Sequence, residues 1–533
     1  MEIARMFPNT WKTDLGSGFL VFLIALPLCL GISMASGFPP TAGILTAVIG
    51  GLIVSFLGSA PLTIKGPAAG LIVIALGAVV ELGAGNNVLG YKRALAVGMV
   101  AGVVQIIFAL TKAGNVGDMM PSSVVHGMLA AIGVIIISKQ AHVLLGVVPQ
   151  GKDPLHLLAE IPHSILNLNP EVVFIGLLSM LILFGLPMVK VNWIRRIPGP
   201  MFVLLAAVPL GLLFDLEHEH NYFLSNHLFH VGPNLLIRLP GTLSATIAFP
   251  DFSVIFSAAS LKYIVMFSLI GSIESLLSVS AVDALDPEKR TSDMNRDLLA
   301  TGIGNTIASA LGGLPMISEI VRSKANIDNG AKSHLSNFFH GMFLLLSLAL
   351  IPGLLQKIPL AALAGMLIYT GFRLASPKEF MHVYKIGAEQ LFLFVTTLVV
   401  TLATDLLIGV GVGLVLKIAI HLKNGARLST LFRTIVQEER NGGQLLIRVH
   451  EAAVYTNYLG LKKRLANVDA SIHTVVIDFE NTSVVDHTVL EKLKGVEREW
   501  NGRRMIITGL DGHEAMSSHA LAARRKARPA VAV

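Results

Sequence analysis

Residues 312–333 read GGLPMISEIVRSKANIDNGAKS. Pro315 opens a segment carrying Ser318, Glu319, Arg322 and Ser323 between long apolar stretches, where such polarity is expensive in lipid. A helix that starts inside a membrane leaves unpaired N–H groups and the positive end of its dipole facing what lies before it, which favours an anion. A counterpart lies in the first half of the chain, IKGPAAG at 64–70. There Pro67 suits a first helical position and the small Ala68, Ala69 and Gly70 permit close backbone approach. Two positive helix ends facing each other predict one small-anion site, lined by Gly66, Pro67, Ala68 and Ala69 on one side and Pro315, Met316, Ile317 and Ser318 on the other. The plainer reading, two ordinary spans kinked by Pro and Gly, leaves the matching positions in the two halves as coincidence.

Working outward, 53% of the 533 residues are hydrophobic and 14% charged, too apolar for a water-exposed surface. Apolar runs long enough for a hydrocarbon core fall at 15–36, 41–57, 93–111, 121–138, 171–189 and 198–214, then at 260–282, 296–312, 333–351, 358–375, 388–404 and 405–421. Each block also holds one short segment, at 67–80 and 315–326. The count is seven plus seven, and an odd number per half inverts one repeat relative to the other, a pattern of secondary transporters.

The net charge of +7 is gathered in loops, which indicates topology rather than nucleic-acid binding. Lys190, Arg195 and Arg196 place the loop after the fifth long span in the cytoplasm. The segment from Asp215 to Ala259 holds one basic residue, Arg238, and reads as external. Residues 1–13 read as a cytoplasmic arm without a cleavable signal, and the C-terminus as cytoplasmic, with Lys417, Lys423, Arg427 and Arg433 near the last span. Domain bounds of 14–424 for the transport domain (repeats 14–214 and 260–421), 430–520 for a small soluble α/β domain and 521–533 for a basic tail follow. GQLLIRV, HTVVIDF and MIITGL read as its strands, and the tail suits anionic lipid. Cys29, the single cysteine, excludes an intrachain disulfide.

Two further features carry chemistry. Arg322 either adds a full positive charge to the anion site or pairs with Glu319 one turn earlier. Glu274, mid-span in SLIGSIESLLSVSAVDA with Ser278 one turn on, must be protonated, paired or bound to a cation. It is therefore a coupling candidate, for Na⁺ with Ser278 and the backbone carbonyls of Gly312–Met316, or for H⁺. The charged segment DALDPEKRTSDMNRD reads as a solvated turn and cap. His218 and His220 match no closed metal site and read as an ordinary loop, and His126 as a hydrogen-bonding core histidine. No nucleophile–base pair or Walker loop points to an enzyme.

Together, DLGSGFLVFLIALPLCLGISMASGFPPTAGI, IKGPAAG, IGSIESLLSVSAVDAL and the segment quoted first resemble the SulP family of anion transporters. VVIDFENTSVVDHTVLEKL is similar to that family's STAS module. The resemblance implies a fourteen-span α-helical membrane fold, a seven-plus-seven inverted repeat with core and gate domains, an elevator motion and a homodimer. It places the anion at Gly66–Ala69 and Pro315–Ser318 with Arg322 beside it, and a coupling ion at Glu274 and Ser278; Glu319, not typical of those relatives, joins the coupling candidates from its place in the segment. Glu274 stands where bicarbonate-transporting relatives place an aspartate at sodium, so Na⁺ and H⁺ both remain. LPLCLGIS lacks the Gln and Tyr usual in sulfate permeases. Asp486, His487 and Thr488 replace the usual Asp-Ser-Ser or Asp-Ser-Thr of the STAS module, a position for regulatory partners.

The expectation is a bacterial inner-membrane, Na⁺- or H⁺-coupled importer of a small inorganic anion, bicarbonate ahead of sulfate. The alternatives are a sulfate or dicarboxylate symporter, an uncoupled exchanger or channel, and a membrane scaffold acting through the STAS-like domain.

Overall fold

The structure, a computed structural model, describes residues 10–112, 120–151, 153–191, 197–224, 227–239, 246–469, 471–500 and 503–527. Arg195, Arg196, the start of the N-terminal arm and the end of the basic tail lie outside the described residues. The chain divides into two compact units, residues 1–114 with 132–374, and 115–131 with 375–533.

In chain order the helices and strands begin with α1 (Trp11–Ala35), α2 (Pro40–Ile49, continued to Leu57 through a π turn), β1 (Ile64–Pro67), α3 (Ile72–Gly83) and α4 (Asn87–Leu110). Next are α5 (Ser122–Leu145), α6 (Pro154–Leu166), α7 (Pro170–Gly185), α8 (Gly199–Leu213) and the hairpin β2 (His220–Leu224) and β3 (His227–Val231). The second half runs α9 (Ala258–Leu285), α10 (Met294–Leu311), β4 (Met316–Glu319), α11 (Ile320–Asp328), α12 (Leu335–Leu350), α13 (Leu360–Leu374), α14 (Pro377–Ile386), α15 (Ala388–Ala403) and α16 (Leu406–Lys423). Among the described residues, eight helices are long and apolar enough to cross a membrane, and four shorter ones are as apolar. Each of the fourteen segments expected from the sequence contains a helix.

Helix starts are written in the sequence. Asn86, Ser257, Asp293 and Asp405 each accept backbone N–H groups from the first turn of the helix that follows, satisfying donors that otherwise stay unpaired. Packing within the first unit relies on small residues, because lipid removes the usual hydrophobic advantage of helix against helix. A Cβ on Gly51 would lie 2.6 Å from the Cα of Gly341, and one on Gly102 3.0 Å from the carbonyl oxygen of Gly302.

The two short segments differ from expectation. Neither helix starts at its proline: Ile64–Pro67 and Met316–Glu319 form an antiparallel ribbon with Gly66 opposite Ile317 and Pro67 opposite Met316. Both helices begin five residues later, at Ile72 and Ile320. The backbone donors of two extended segments side by side can pair with each other and with neighbouring side chains, which removes the cost of unpaired groups in lipid.

The second unit holds α15, α16 and a seven-stranded sheet: β5 (Ile435–Asn441), β6 (Gln444–Ala453), β7 (Thr474–Asp478), β8 (Thr482–Val485), β9 (Arg504–Thr508), β10 (His513–Ala515) and β11 (Arg524–Lys526). The strand order is β10-β11-β8-β6-β7-β9, with β5 also on β6, and β6–β7, β6–β8 and β7–β9 are parallel. Helices α17 (Tyr458–Ala466) and α18 (His487–Glu499) supply Leu461, Leu465, Leu490 and Leu493 to a core with Ile447, Val475 and Ile477.

At the start of α18 the Asp486 carboxylate is fully buried 2.8 Å from the ammonium of Lys417 and 3.6 Å from the His421 ring, both on α16. Burial pushes the Asp486 carboxyl up, but Lys417 and His421 outweigh it and hold the group well below the usual carboxylate range. A depressed carboxyl lends stability that is complete above its unfolded value and lost only as pH falls through the folded one. This pair therefore stays intact from pH 8 down to about pH 4, where an unfolded aspartate titrates. Asp486→Asn leaves the buried Lys417 with only Glu389, 4.0 Å away, as a counter-charge and is expected to cost about 3 kcal/mol. Thermal unfolding of the full-length protein checks this, with Lys417→Met/Asp486→Leu expected to recover most of the loss. Thr488 is also buried, so modification of its hydroxyl requires the module to open.

Candidate anion site

The β1–β4 ribbon is fixed at both ends by buried side chains. Met316 donates its N–H to Asn305 (2.5 Å) and accepts from the Asn305 amide (3.1 Å), which also donates to Gln105 on α4 (2.7 Å). Ser318 donates its N–H to Ser275 (3.1 Å), and Ile64 donates to Ser323 (2.8 Å). Before the ribbon, Gly312 accepts from Tyr91 (2.8 Å) and Leu314 from Thr46 (2.9 Å).

Lys65 went unmarked in the sequence reading, and it is the largest charged group on the ribbon. It is 2% exposed, and its ammonium donates to Asp297 and to Ser318, each at 2.5 Å. Asp297 is itself completely buried on α10. This corrects the reading of DALDPEKRTSDMNRD for its last residue. Asp283, Asp286, Arg290 and Asp293 do form the expected turn and cap, whereas Asp297 faces inward as the counter-charge of Lys65. The signal was present, since a lysine inside an apolar run needs a partner.

Beyond the ribbon, where the two chains turn into α3 and α11, several charged groups converge. Arg322 is 1% exposed, and its guanidinium donates to the Pro67 carbonyl (3.4 Å) and to Cys29 on α1 (3.5 Å). A Cβ on Gly66 would lie 2.6 Å from Arg322 Nη1, so only glycine leaves this arginine its place. Of the two alternatives for Arg322, the pair with Glu319 is not formed: among the described residues no carboxylate lies within 4.0 Å of Arg322, although its charge is still felt at Glu319. Residue 319 is still in the strand, so the two are not one helical turn apart. The Glu319 carboxylate instead lies near the backbone of Ala69, three residues before α3.

Glu274 reaches the same place from α9. Its carboxylate lies against Gly70, where a Cβ would collide with it, and it repels the carboxylate of Glu319. One oxygen of Glu274, one of Glu319 and Nε of Arg322 are buried without a hydrogen-bond partner among the described residues. His340 on α12 is also buried, with both ring nitrogens unpartnered, near enough to Arg322 to feel its charge. The structure thus brings Gly66, Pro67, Ala68 and Ala69 together with Glu274, Glu319 and Arg322. Pro315, Met316, Ile317 and Ser318 lie in and before the ribbon, with the amides of Met316 and Ser318 already committed. Ser278 is buried one turn from Glu274.

Comparison with known proteins decides what kind of site this is. Residues 11–397 match the sulfate permease family. The chain belongs to that family. Among sulfate permease relatives, the putative sulfate transporter YvdB of Bacillus subtilis is 27% identical over 80% of this chain and 76% of its own. The bicarbonate transporter BicA of Synechocystis is 28% identical over 75% of this chain and 68% of its own. The transmembrane domain of a cyanobacterial BicA superposes with a TM-score of 0.66 at 25% identity, covering 75% of this chain and 98% of that one. Murine solute carrier 26 member A9, an anion transporter solved inward-facing, shares the fold at 14% identity, with a TM-score of 0.67 over 94% of this chain and 86% of its own. This member of the sulfate permease family is therefore a membrane anion transporter and not an enzyme, and its C-terminal sheet is compatible with a STAS-like module.

Away from the site, His126 is partly exposed with its ring 3.3 Å from Glu379, an ion-pair position rather than the core one expected. The ring of His218 lies 2.7 Å from Asp215 and that of His220 contacts the carbonyl of His218. The expected plain loop there contains the β2–β3 hairpin, whose alternation is too short to stand out among histidines.

Proposed function

We propose that this member of the sulfate permease family is a cation-coupled symporter of a small inorganic monoanion, bicarbonate before sulfate, with Glu274 as the coupling residue. The observation that carries the reading is the convergence of Arg322, the start of α3 and two carboxylates, Glu274 and Glu319, on one buried place. The arginine and helix end attract an anion. Two carboxylates that repel each other supply a cation position, because a proton held between them removes the repulsion. H⁺ is favoured over Na⁺ since the carbonyls of Gly312, Leu314 and Met316 already accept hydrogen bonds. A divalent anion would meet two negative side chains against one positive, which favours bicarbonate over sulfate or a dicarboxylate.

In this reading the protein sits in a bacterial inner membrane with both termini inside, works as a homodimer and moves its core domain past a gate domain in an elevator motion. Its STAS-like module takes a regulatory partner. Two of the relatives named above carry bicarbonate and sulfate in their names, and a BicA-type substrate agrees with the departures of LPLCLGIS from sulfate permease usage. The test is uptake of labelled bicarbonate, sulfate and fumarate by purified protein in liposomes under separate H⁺ and Na⁺ gradients. Bicarbonate accumulation driven by the proton gradient is expected. Uptake of none of the three contradicts the proposal, and accumulation driven by Na⁺ alone contradicts the choice of proton.

A further inference from the structure

We propose that His519 is a pH-sensitive clasp on the STAS-like module: neutral, it holds the loop at 516–521 against the end of α14, and protonated, it lets that loop go. Two imidazole rings grip the backbone of Leu521. Its N–H donates to Nδ1 of His519 (3.2 Å), and its carbonyl accepts from Nδ1 of His487 at the start of α18 (2.6 Å). These partners fix the tautomers. His519 carries its one proton on Nε2 and keeps Nδ1 as a lone pair, whereas His487 carries its proton on Nδ1. In the same loop the Ser517 hydroxyl accepts the N–H of His519 (3.2 Å) and donates to the carbonyl of Ile386, the last residue of α14 (2.5 Å). An unbroken run of hydrogen bonds thus leads from α14 through Ser517, His519 and Leu521 to His487. The residue before His487 is Asp486, which holds Lys417 and His421 on α16.

The two rings respond differently to acid. A proton arriving at His487 lands on Nε2, which is buried without a hydrogen-bond partner among the described residues and lies 3.8 Å from Glu491. The bond to Leu521 survives that step. A proton arriving at His519 lands on Nδ1, and an imidazolium has no lone pair with which to accept from Leu521. The groups facing His519 are His487, Glu491 and Lys494 on α18 and His382 on α14. The His487 ring is 6.2 Å away, so two protonated rings repel each other, and Glu491 is already engaged by the Ser122 hydroxyl. Beyond His382, the His126 ring stands 6.4 Å from it and beside Glu379. Partial burial, with His487, His382 and Lys494 outweighing Glu491, holds the His519 imidazolium below the usual histidine range. A base whose proton affinity is lowered in the closed form favours closure at neutral pH and above. Closure weakens as pH falls past about 6.5, the ordinary histidine value, towards the depressed one. The pH around the STAS-like module thereby sets how firmly its loop grips α14, whichever anion is carried.

The experiment uses full-length protein with a nitroxide on Ser518→Cys, an exposed position in the loop, while Cys29 is buried and stays unlabelled. The ratio of mobile to immobile label is expected to rise about three- to tenfold from pH 7.5 to 5.5, the range open to a single proton. In His519→Asn the side-chain oxygen accepts from Leu521 at every pH, and the ratio is expected to stay low. In His519→Lys, which is charged throughout, it is expected to be high at both pH values; this variant serves if the Asn variant does not fold. A wild-type ratio that does not change with pH, or the same rise in His519→Asn, overturns the proposal. In liposomes, wild type is expected to lose more of its uptake rate between pH 7.5 and 5.5 than His519→Asn, and equal losses overturn the regulatory role. Liposomes that take up none of the offered anions overturn the transport reading alone, since the label reports on the clasp without transport.

Discussion

Lys65→Met is expected to destabilise the transport unit by about 3–5 kcal/mol, the cost of leaving a buried charge without its partner. The ammonium touches Asp297 and Ser318 at 2.5 Å in a place closed to water. Removing it leaves the Asp297 carboxylate surrounded by α10 and the ribbon, where one of its oxygens already has no hydrogen-bond partner among the described residues. Ser318 would also lose the donor that fixes its side chain, and with it the β4 strand that leads into α11. The double variant Lys65→Met/Asp297→Leu removes both charges and is expected to recover most of the stability, as buried pairs replaced by apolar groups commonly do. Thermal unfolding of purified protein in detergent distinguishes these outcomes. A single variant as stable as wild type would mean that the pair carries no structural weight.

Arg322→Gln is expected to raise KM for the transported anion by about 10- to 100-fold, while the protein remains folded. The estimate follows from the roughly 1.5–3 kcal/mol of a hydrogen bond to a charged group, at 1.4 kcal/mol per decade. Arg322→Lys is expected to rescue only part of this, because an ammonium lacks the planar fork that reaches Pro67, Cys29 and an oxyanion together. An unchanged KM in Arg322→Gln would leave the positive field to the helix ends alone.

The sequence revealed more of the fold than of the site. Spans were readable because long apolar runs in lipid have few alternatives to a helix, and the C-terminal strands because GQLLIRV, HTVVIDF and MIITGL sit between turn-forming residues. Pro67 and Pro315 correctly located the two broken segments. The strand pairing there was not legible, since four residues carry no period and the partner lies about 250 residues away in sequence, as Lys65 and Ser318 do. Separations of 232 residues for Lys65–Asp297 and 69 for Lys417–Asp486 hid those two pairs as well. Glu319 and Arg322 showed the limit of reasoning from spacing. Three residues apart, they pair only if both lie in a helix, and with Glu319 still in the strand the Arg322 guanidinium turns to the Pro67 carbonyl instead.

The account stands on Glu274 linking cation to anion at one site, and the most direct measurement is accumulation of labelled bicarbonate in liposomes holding wild type or Glu274→Gln under an inward proton gradient. Wild type is expected to concentrate the anion above its external level, and Glu274→Gln only to equilibrate it. Undiminished, gradient-driven accumulation by Glu274→Gln would contradict the account.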